Sequence, residues 1–196
     1  MSKRTDSVAD APGIAVATCW EQWLGLFGES QVPDGRQRAA VDPEALVLAS
    51  LALRTQERRL DDMLLAMATE SRLLSVQRMK TLARLFPERV TADLAWFARA
   101  AKLEGDARWR FLAAAGASEP RGRPGKSMPD LSLRSRTAFM LRMRLGLGVG
   151  IKADLIACLG GLASVGNRHA SGTTVTDLQR VLGYSKPATR TAVEDM

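Results

Sequence analysis

Along this chain the apolar residues recur at spacings of three and four, and residues that start or stop helices cut these runs into segments. Val16, Trp20, Trp23, Leu24 and Phe27 share one face of a helix expected over 14–27. Asp42-Pro43 joins an N-cap carboxylate to a proline at the first helical position, and the helix behind it carries Leu46, Val47, Ala49, Ser50 and Leu53. A third helix is expected over 59–70 on Leu60, Met63, Leu64 and Met67. A fourth is capped by Ser75, carries Val76, Met79, Leu82, Ala83 and Phe86, and is ended by Pro87. Thr91 opens a fifth with Leu94, Trp96, Phe97 and Ala101, which Gly105 breaks, and a short sixth holds Trp109, Phe111 and Leu112. Aromatic residues make up only 5% of the chain, which disfavours a β-rich sandwich, and the 46% hydrophobic content is enough for a real core. The expected fold class is all-α, with Met63, Met67, Met79, Trp96 and Trp109 read as core packing before a ligand box.

The 196 residues allow one domain or two small ones, and charge divides them. Residues 1–120 hold 16 Lys/Arg and 16 Asp/Glu, whereas residues 121–196 hold 12 against 5, so the whole excess of +7 lies in the last part. A patch of this kind faces a polyanion or serves as a solubilising surface. The organisation expected is a polar, disordered N-terminus over 1–12, an all-helical module over 13–115, a basic linker over 116–130 with three prolines and three glycines, and a second helical module over 131–196. Within the last, helices are expected over 131–145, 151–164, 174–182 and 185–196, separated by the Gly146-Leu147-Gly148-Val149-Gly150 turn and a polar loop over 166–172.

The sharpest local signal is the final stretch, TVTDLQRVLGYSKPATRTAVEDM. Thr174 and Asp177 have the spacing of a capping box, and Leu178, Val181 and Leu182 give the helix behind them an apolar face. Gly183 suits a left-handed helix stop, Ser185 caps the next helix, and Pro187 fits its first turn. At 100° per residue, Thr189, Ala192, Val193 and Met196 turn inward, and Lys186, Pro187, Arg190, Thr191 and Glu194 turn outward. Two helices around a glycine turn, with Lys, Arg and Thr outward on the second, suit a major groove; an ordinary αα-hairpin is the competing reading.

These residues resemble the helix-turn-helix of prokaryotic winged-helix transcriptional regulators. Leu178, Leu182, Gly183, Tyr184, Thr189 and Ala192 fall where that pattern wants apolar, apolar, turn glycine, apolar, β-branched and apolar residues. Arg142-Met143-Arg144 with GVGIKADLIACL (148–159) is similar to the first helix of the same domain, so the resemblance covers 131–196, about a third of the chain. It implies a DNA-binding domain in which Lys186, Arg190 and Thr191 face the groove and Thr174 and Ser185 bond phosphates. A winged helix continues into a β-hairpin wing where this sequence reaches Met196, so the chain is expected to be part of a longer protein that carries the wing, with a plain tri-helical helix-turn-helix as the alternative.

Two further basic features bear on the same partner. Pro120-Arg121-Gly122-Arg123-Pro124, followed by Lys126, resembles the core of an AT-hook, in which extended Arg-Gly-Arg lies in a narrow minor groove; a flexible basic linker is the alternative. Arg134, Arg136, Arg142 and Arg144 recur along 131–145, either as a solvated helix face or, with Lys152, as contacts to backbone phosphate.

Enzyme signatures are weak. Gly146-x-Gly148-x-Gly150-x-Lys152 lacks the adjacent Gly-Lys-Ser/Thr of a phosphate loop, His169 is the only histidine, and the adjacent Asp61-Asp62 pair does not converge on one ligand. No catalytic residue, metal or cofactor is expected. Cys19 and Cys158 read as buried free thiols, Asp6 and Asp10 interrupt any signal peptide, and charges within 138–165 exclude a membrane span. A cytoplasmic DNA-binding regulator, with a homodimer on paired half-sites as the expected assembly, is the reading that follows. Its rival is an antitoxin-like interaction module whose residues 13–115 bind a partner protein.

Overall fold

The computed structural model describes residues 11–27, 40–113, 131–164 and 172–196, and every regular element among them is helical. In chain order these are α1 (Ala11–Phe27), α2 (Pro43–Leu53), α3 (Leu60–Thr69), a 3-10 turn (Ser71–Leu73), α4 (Val76–Ala83), α5 (Glu88–Leu103), a second 3-10 turn (Ala107–Phe111), α6 (Phe139–Leu147), α7 (Ile151–Ser164), α8 (Val175–Leu182) and α9 (Lys186–Glu194). The all-α expectation holds.

Local chemistry sets most of the starts. Asp42 accepts from the Ala45 N–H at 3.1 Å with Pro43 behind it, Ser75 accepts from Arg78 N–H at 3.2 Å, and Ser185 accepts from Ala188 N–H at 3.4 Å. Thr174 and Asp177 form the reciprocal capping box. α5 begins at Glu88, three residues before Thr91, because Pro87 has the extended backbone of an N-cap and Glu88 favours the positive helix end. α1 begins at Ala11, so residues 11 and 12, expected to be disordered, form its first turn.

One expected helix is shortened. Residues 131–138 form turns, and α6 starts only at Phe139. Ser135 Oγ accepts from the Ala138 N–H at 3.2 Å, and the Thr137 hydroxyl donates to the Gly25 carbonyl at 2.7 Å. Such side chains offer the backbone bonds that compete with a helix. The same stretch is tied to α1 and the start of α2: Ser132 N–H donates to Leu26 O at 2.8 Å, and Val41 N–H donates to Thr137 O at 2.9 Å.

α2 lies centrally, touching α1, α3, α4 and α5. Trp23, Leu48, Leu64, Met67, Phe97 and Trp109 anchor the main core, to which Ala138 and Leu141 from the second half also belong. Two of its indoles are satisfied within it: Trp23 donates to Ser50 Oγ at 2.9 Å and Trp109 to Asp106 Oδ2 at 3.1 Å. A second, smaller cluster joins Leu155 of α7 to Leu178 and Leu182 of α8 and Ala192 of α9. α6 crosses α7 closely at Gly160, where a Cβ would come within 2.7 Å of the Phe139 ring.

Candidate nucleic-acid interface and the charge cluster beneath it

α8 ends at Gly183, whose φ of +69° is the left-handed conformation a side chain resists, and Gly183 N–H closes the helix on Gln179 O at 2.9 Å. After Tyr184 and Ser185 the chain enters α9. Thr189 and Ala192 are buried and fasten α9 to the molecule, with the Thr189 hydroxyl also donating to Ser185 O at 3.0 Å. Lys186, Pro187, Arg190 and Thr191 are exposed as the wheel requires. Val193 and Met196, expected to turn inward, are 38% and 59% exposed. The helix is electrically polar along its length. Lys186 lies at its start and Arg190 at its middle, whereas Glu194 and Asp195 close it, Asp195 pairing with Lys152 of α7 at 3.2 Å and Glu194 standing 3.9 Å from Arg190.

The other basic positions separate. Arg134 and Arg136 are exposed, and Arg142 is half-buried with its guanidinium 5.4 Å from the Phe139 ring centre. Arg121, Arg123 and Lys126, with the whole expected linker over 116–130, lie outside the described residues, as does His169. The Thr174 and Ser185 side chains are exposed but already engaged: Thr174 Oγ1 donates to Asp177 Oδ2 at 2.6 Å, which holds the Asp177 carboxyl below its ordinary range, and Ser185 caps α9.

Arg144 is the correction. Expected on a phosphate-facing surface, it is 1% exposed and surrounded by carboxylates. Its Nε and Nη2 donate to Asp154 at 2.6 and 2.8 Å, its Nη1 and Nη2 to Glu44 at 2.6 and 2.9 Å, and its Nη1 to Leu73 O at 2.8 Å. A guanidinium with every N–H committed to buried acceptors has none left for phosphate.

Arg78 of α4 continues the cluster. It donates through Nη1 to Asp42 Oδ1 at 2.7 Å and Glu44 Oε2 at 2.5 Å, through Nη2 to Asp42 Oδ2, and through Nε to the Leu182 carbonyl at 2.5 Å. Ser75 N–H donates to Glu44 Oε1 at 2.7 Å, and Tyr184 OH donates to Asp154 Oδ2 at 2.8 Å. Burial works against charge on both guanidiniums, but Asp42, Glu44 and Asp154 outweigh it, so both arginines hold their protons more tightly than usual. Burial would raise Asp42, and the bonds from Arg78 overcome it and hold the carboxyl below its ordinary range. Burial, then the Asp154 charge, pushes the Tyr184 phenol upward.

Glu44, Arg78, Arg144 and Asp154 were not read from the sequence as a set, yet each carries a trace of its position. Glu44 stands three and four residues before Val47 and Leu48, Arg78 four before Leu82, Arg144 three and four after Leu141 and Met140, and Asp154 three after Ile151 and four before Cys158. A charge lying on an apolar helical stripe must find a partner inside the protein.

A cavity of about 630 Å³ opens between α1 and α2, with Ala15, Cys19, Val41, Ala45 and Phe86 in its wall. Asp42 is the charged residue among its described lining, and its oxygens are already held by Arg78 and the Ala45 N–H. Cys19 and Cys158 are free thiols, the first buried and the second half-buried. Among the described residues no helix is long and apolar enough to cross a membrane. Comparison with protein-family models, curated proteins and solved structures finds no match for this chain.

Proposed function

We propose that this chain is a DNA-binding transcriptional regulator, with α8 and α9 forming a helix-turn-helix of the winged-helix type and α9 entering the major groove. The observation that carries the reading is the presentation of α9: anchored on its inner face by Thr189 and Ala192, it leaves Arg190 and Thr191 exposed at and just past its middle and Lys186 and Pro187 exposed in its N-terminal half. Recognition helices meet base edges with that half, and the acidic closing end favours an approach that keeps Glu194 and Asp195 away from phosphate. In this reading Lys186, Arg190 and Thr191 face the groove, the exposed Arg134 and Arg136 supply sequence-independent attraction, and Arg144 has no direct part.

The test is fluorescence anisotropy on fragmented genomic DNA over a series of salt concentrations, followed by selection of the tightest fragments. Affinity is expected to fall with salt. Arg190→Ala should narrow the gap between selected and random DNA, whereas Arg134→Ala with Arg136→Ala should weaken both alike and flatten the salt dependence. Salt-independent binding, or no binding together with a stoichiometric protein held by residues 13–115, would replace this reading with the interaction module.

A further inference from the structure

We propose that Arg78, a residue of the N-terminal helices, positions the DNA-facing helix by clamping the turn between α8 and α9 to the start of α2. The inference rests on the DNA-binding reading and names what controls its geometry.

The turn is held from both sides of Gly183. On one side the Leu182 carbonyl, in the last turn of α8 where acceptors lack an intrahelical partner, receives the Arg78 Nε–H at 2.5 Å. On the other, the Tyr184 hydroxyl reaches Asp154 at 2.8 Å. These two anchors belong to one connected group. Arg78 holds Glu44, Glu44 holds Arg144, and Arg144 holds Asp154, all four of them fully buried. The turn also rests on α4, where a Cβ at Gly183 would lie 3.0 Å from Leu82 Cδ2. A tilt of α9 about the turn would lengthen a bond at Leu182 or Tyr184, and through either would disturb a buried, fully bonded ionic group. The apolar cluster under α9 is small by comparison, with Ala192 of α9 joined to Leu155, Leu178 and Leu182 and only half-buried Ile151, Cys158, Leu159 and Tyr184 packed around them. Directional bonds of this kind define an orientation, which a few aliphatic contacts do not.

The clamp makes no contact that phosphate would use, since both guanidiniums are buried and committed. Its loss is therefore expected to reduce DNA affinity without changing the number of phosphates neutralised. That signature separates a positioning residue from a DNA contact, because the salt dependence follows the phosphate contacts alone.

The experiment uses the full chain with Arg78→Met and Asp42→Asn combined. This removes the bond to Leu182 without leaving Asp42 as an unpaired charge, and asparagine still caps α2. Amide exchange followed by mass spectrometry is read over 175–194 and over α5, alongside DNA affinity at several salt concentrations. Exchange over α8 and α9 is expected to rise at least tenfold with α5 unchanged, and affinity to fall about tenfold at an unaltered salt slope. Tyr184→Phe, which removes one hydroxyl, should move both readouts the same way by less, and it decides the matter if the double variant does not fold. Unchanged exchange over 175–194, a rise shared equally by α5, or a loss of affinity with a flattened salt slope would overturn the proposal. Failure of the wild-type chain to bind DNA overturns the DNA-binding reading, and with it the role given to Arg78, while the exchange measurement still reports whether the clamp itself exists.

Discussion

Around Trp23, Phe97 and Trp109 the chain builds a core that draws on α1 to α6, whereas α9 rests through Ala192 on Leu155, Leu178 and Leu182. The first region is held by buried area: each fully buried large apolar side chain contributes about 1.5–3 kcal/mol. The second has too little such area to fix its own geometry and borrows rigidity from an ionic group whose members come from both halves. Buried ion pairs add little net stability compared with apolar packing, but they are costly to break and strict about direction. The contrast assigns different tasks to the two regions. Area keeps the N-terminal helices folded, and buried charge tells the C-terminal helices where to stand.

The contrast is broken most severely at Glu44. Glu44→Ala leaves Arg78 and Arg144 facing each other with less compensation, and a loss of about 3–5 kcal/mol is expected in urea unfolding. Because Glu44 bonds both arginines, tryptophan fluorescence and far-ultraviolet dichroism should shift to lower denaturant together. Next, Leu178→Ala empties part of the smaller cluster and should cost about 2–3 kcal/mol, at the low end for a buried leucine because few neighbours surround it. Its effect on exchange should be confined to 151–194, while Phe97→Ala, at about 3–5 kcal/mol, should loosen every helix. Gly183→Ala forces a side chain into the left-handed region at about 1–2 kcal/mol and crowds Leu82, and thermal melting should register it. The smallest effect is on the acid side. The bonds from Arg108, followed by those from its backbone and Ser71, outweigh burial and hold Asp106 at about 2. A depressed carboxyl stabilises the fold above its ordinary value near 4, and that contribution is lost as pH falls from about 4 to about 2. The emission of Trp109, whose indole donates to Asp106, should follow this loss, and Asp106→Asn should remove most of it.

Signals that act within a few residues were legible in the sequence. Asp42-Pro43, Ser75, Thr174 with Asp177, and Ser185 with Pro187 announce helix starts because their bonds close locally, and all four are made. The exposure of Lys186, Pro187, Arg190 and Thr191 followed from periodicity for the same reason, whereas Val193 and Met196, turned inward by the same wheel, are exposed. What depends on distant partners was hidden. Residues 131–138 have helical composition, but Ser132 and Thr137 bond to α1 and the start of α2. Arg142 and Arg144 look alike along the chain, two positions apart, and only Arg144 lies on the stripe of Met140 and Leu141. Whether such a residue faces solvent or the interior is decided by Glu44, one hundred residues earlier.

That separation has a consequence for how the chain is made. Glu44 leaves the ribosome one hundred residues before Arg144, and Arg78 precedes its acceptor Leu182 by 104. At about 5–20 residues per second, the carboxylate waits about 5–20 s for its second arginine. Until then the N-terminal helices can gather their apolar faces, with Arg78 and Glu44 paired to each other in a half-filled site. The ionic group is complete only once Arg144, Asp154 and then Leu182 have followed, so this part of the interior dates from the arrival of α6, α7 and α8.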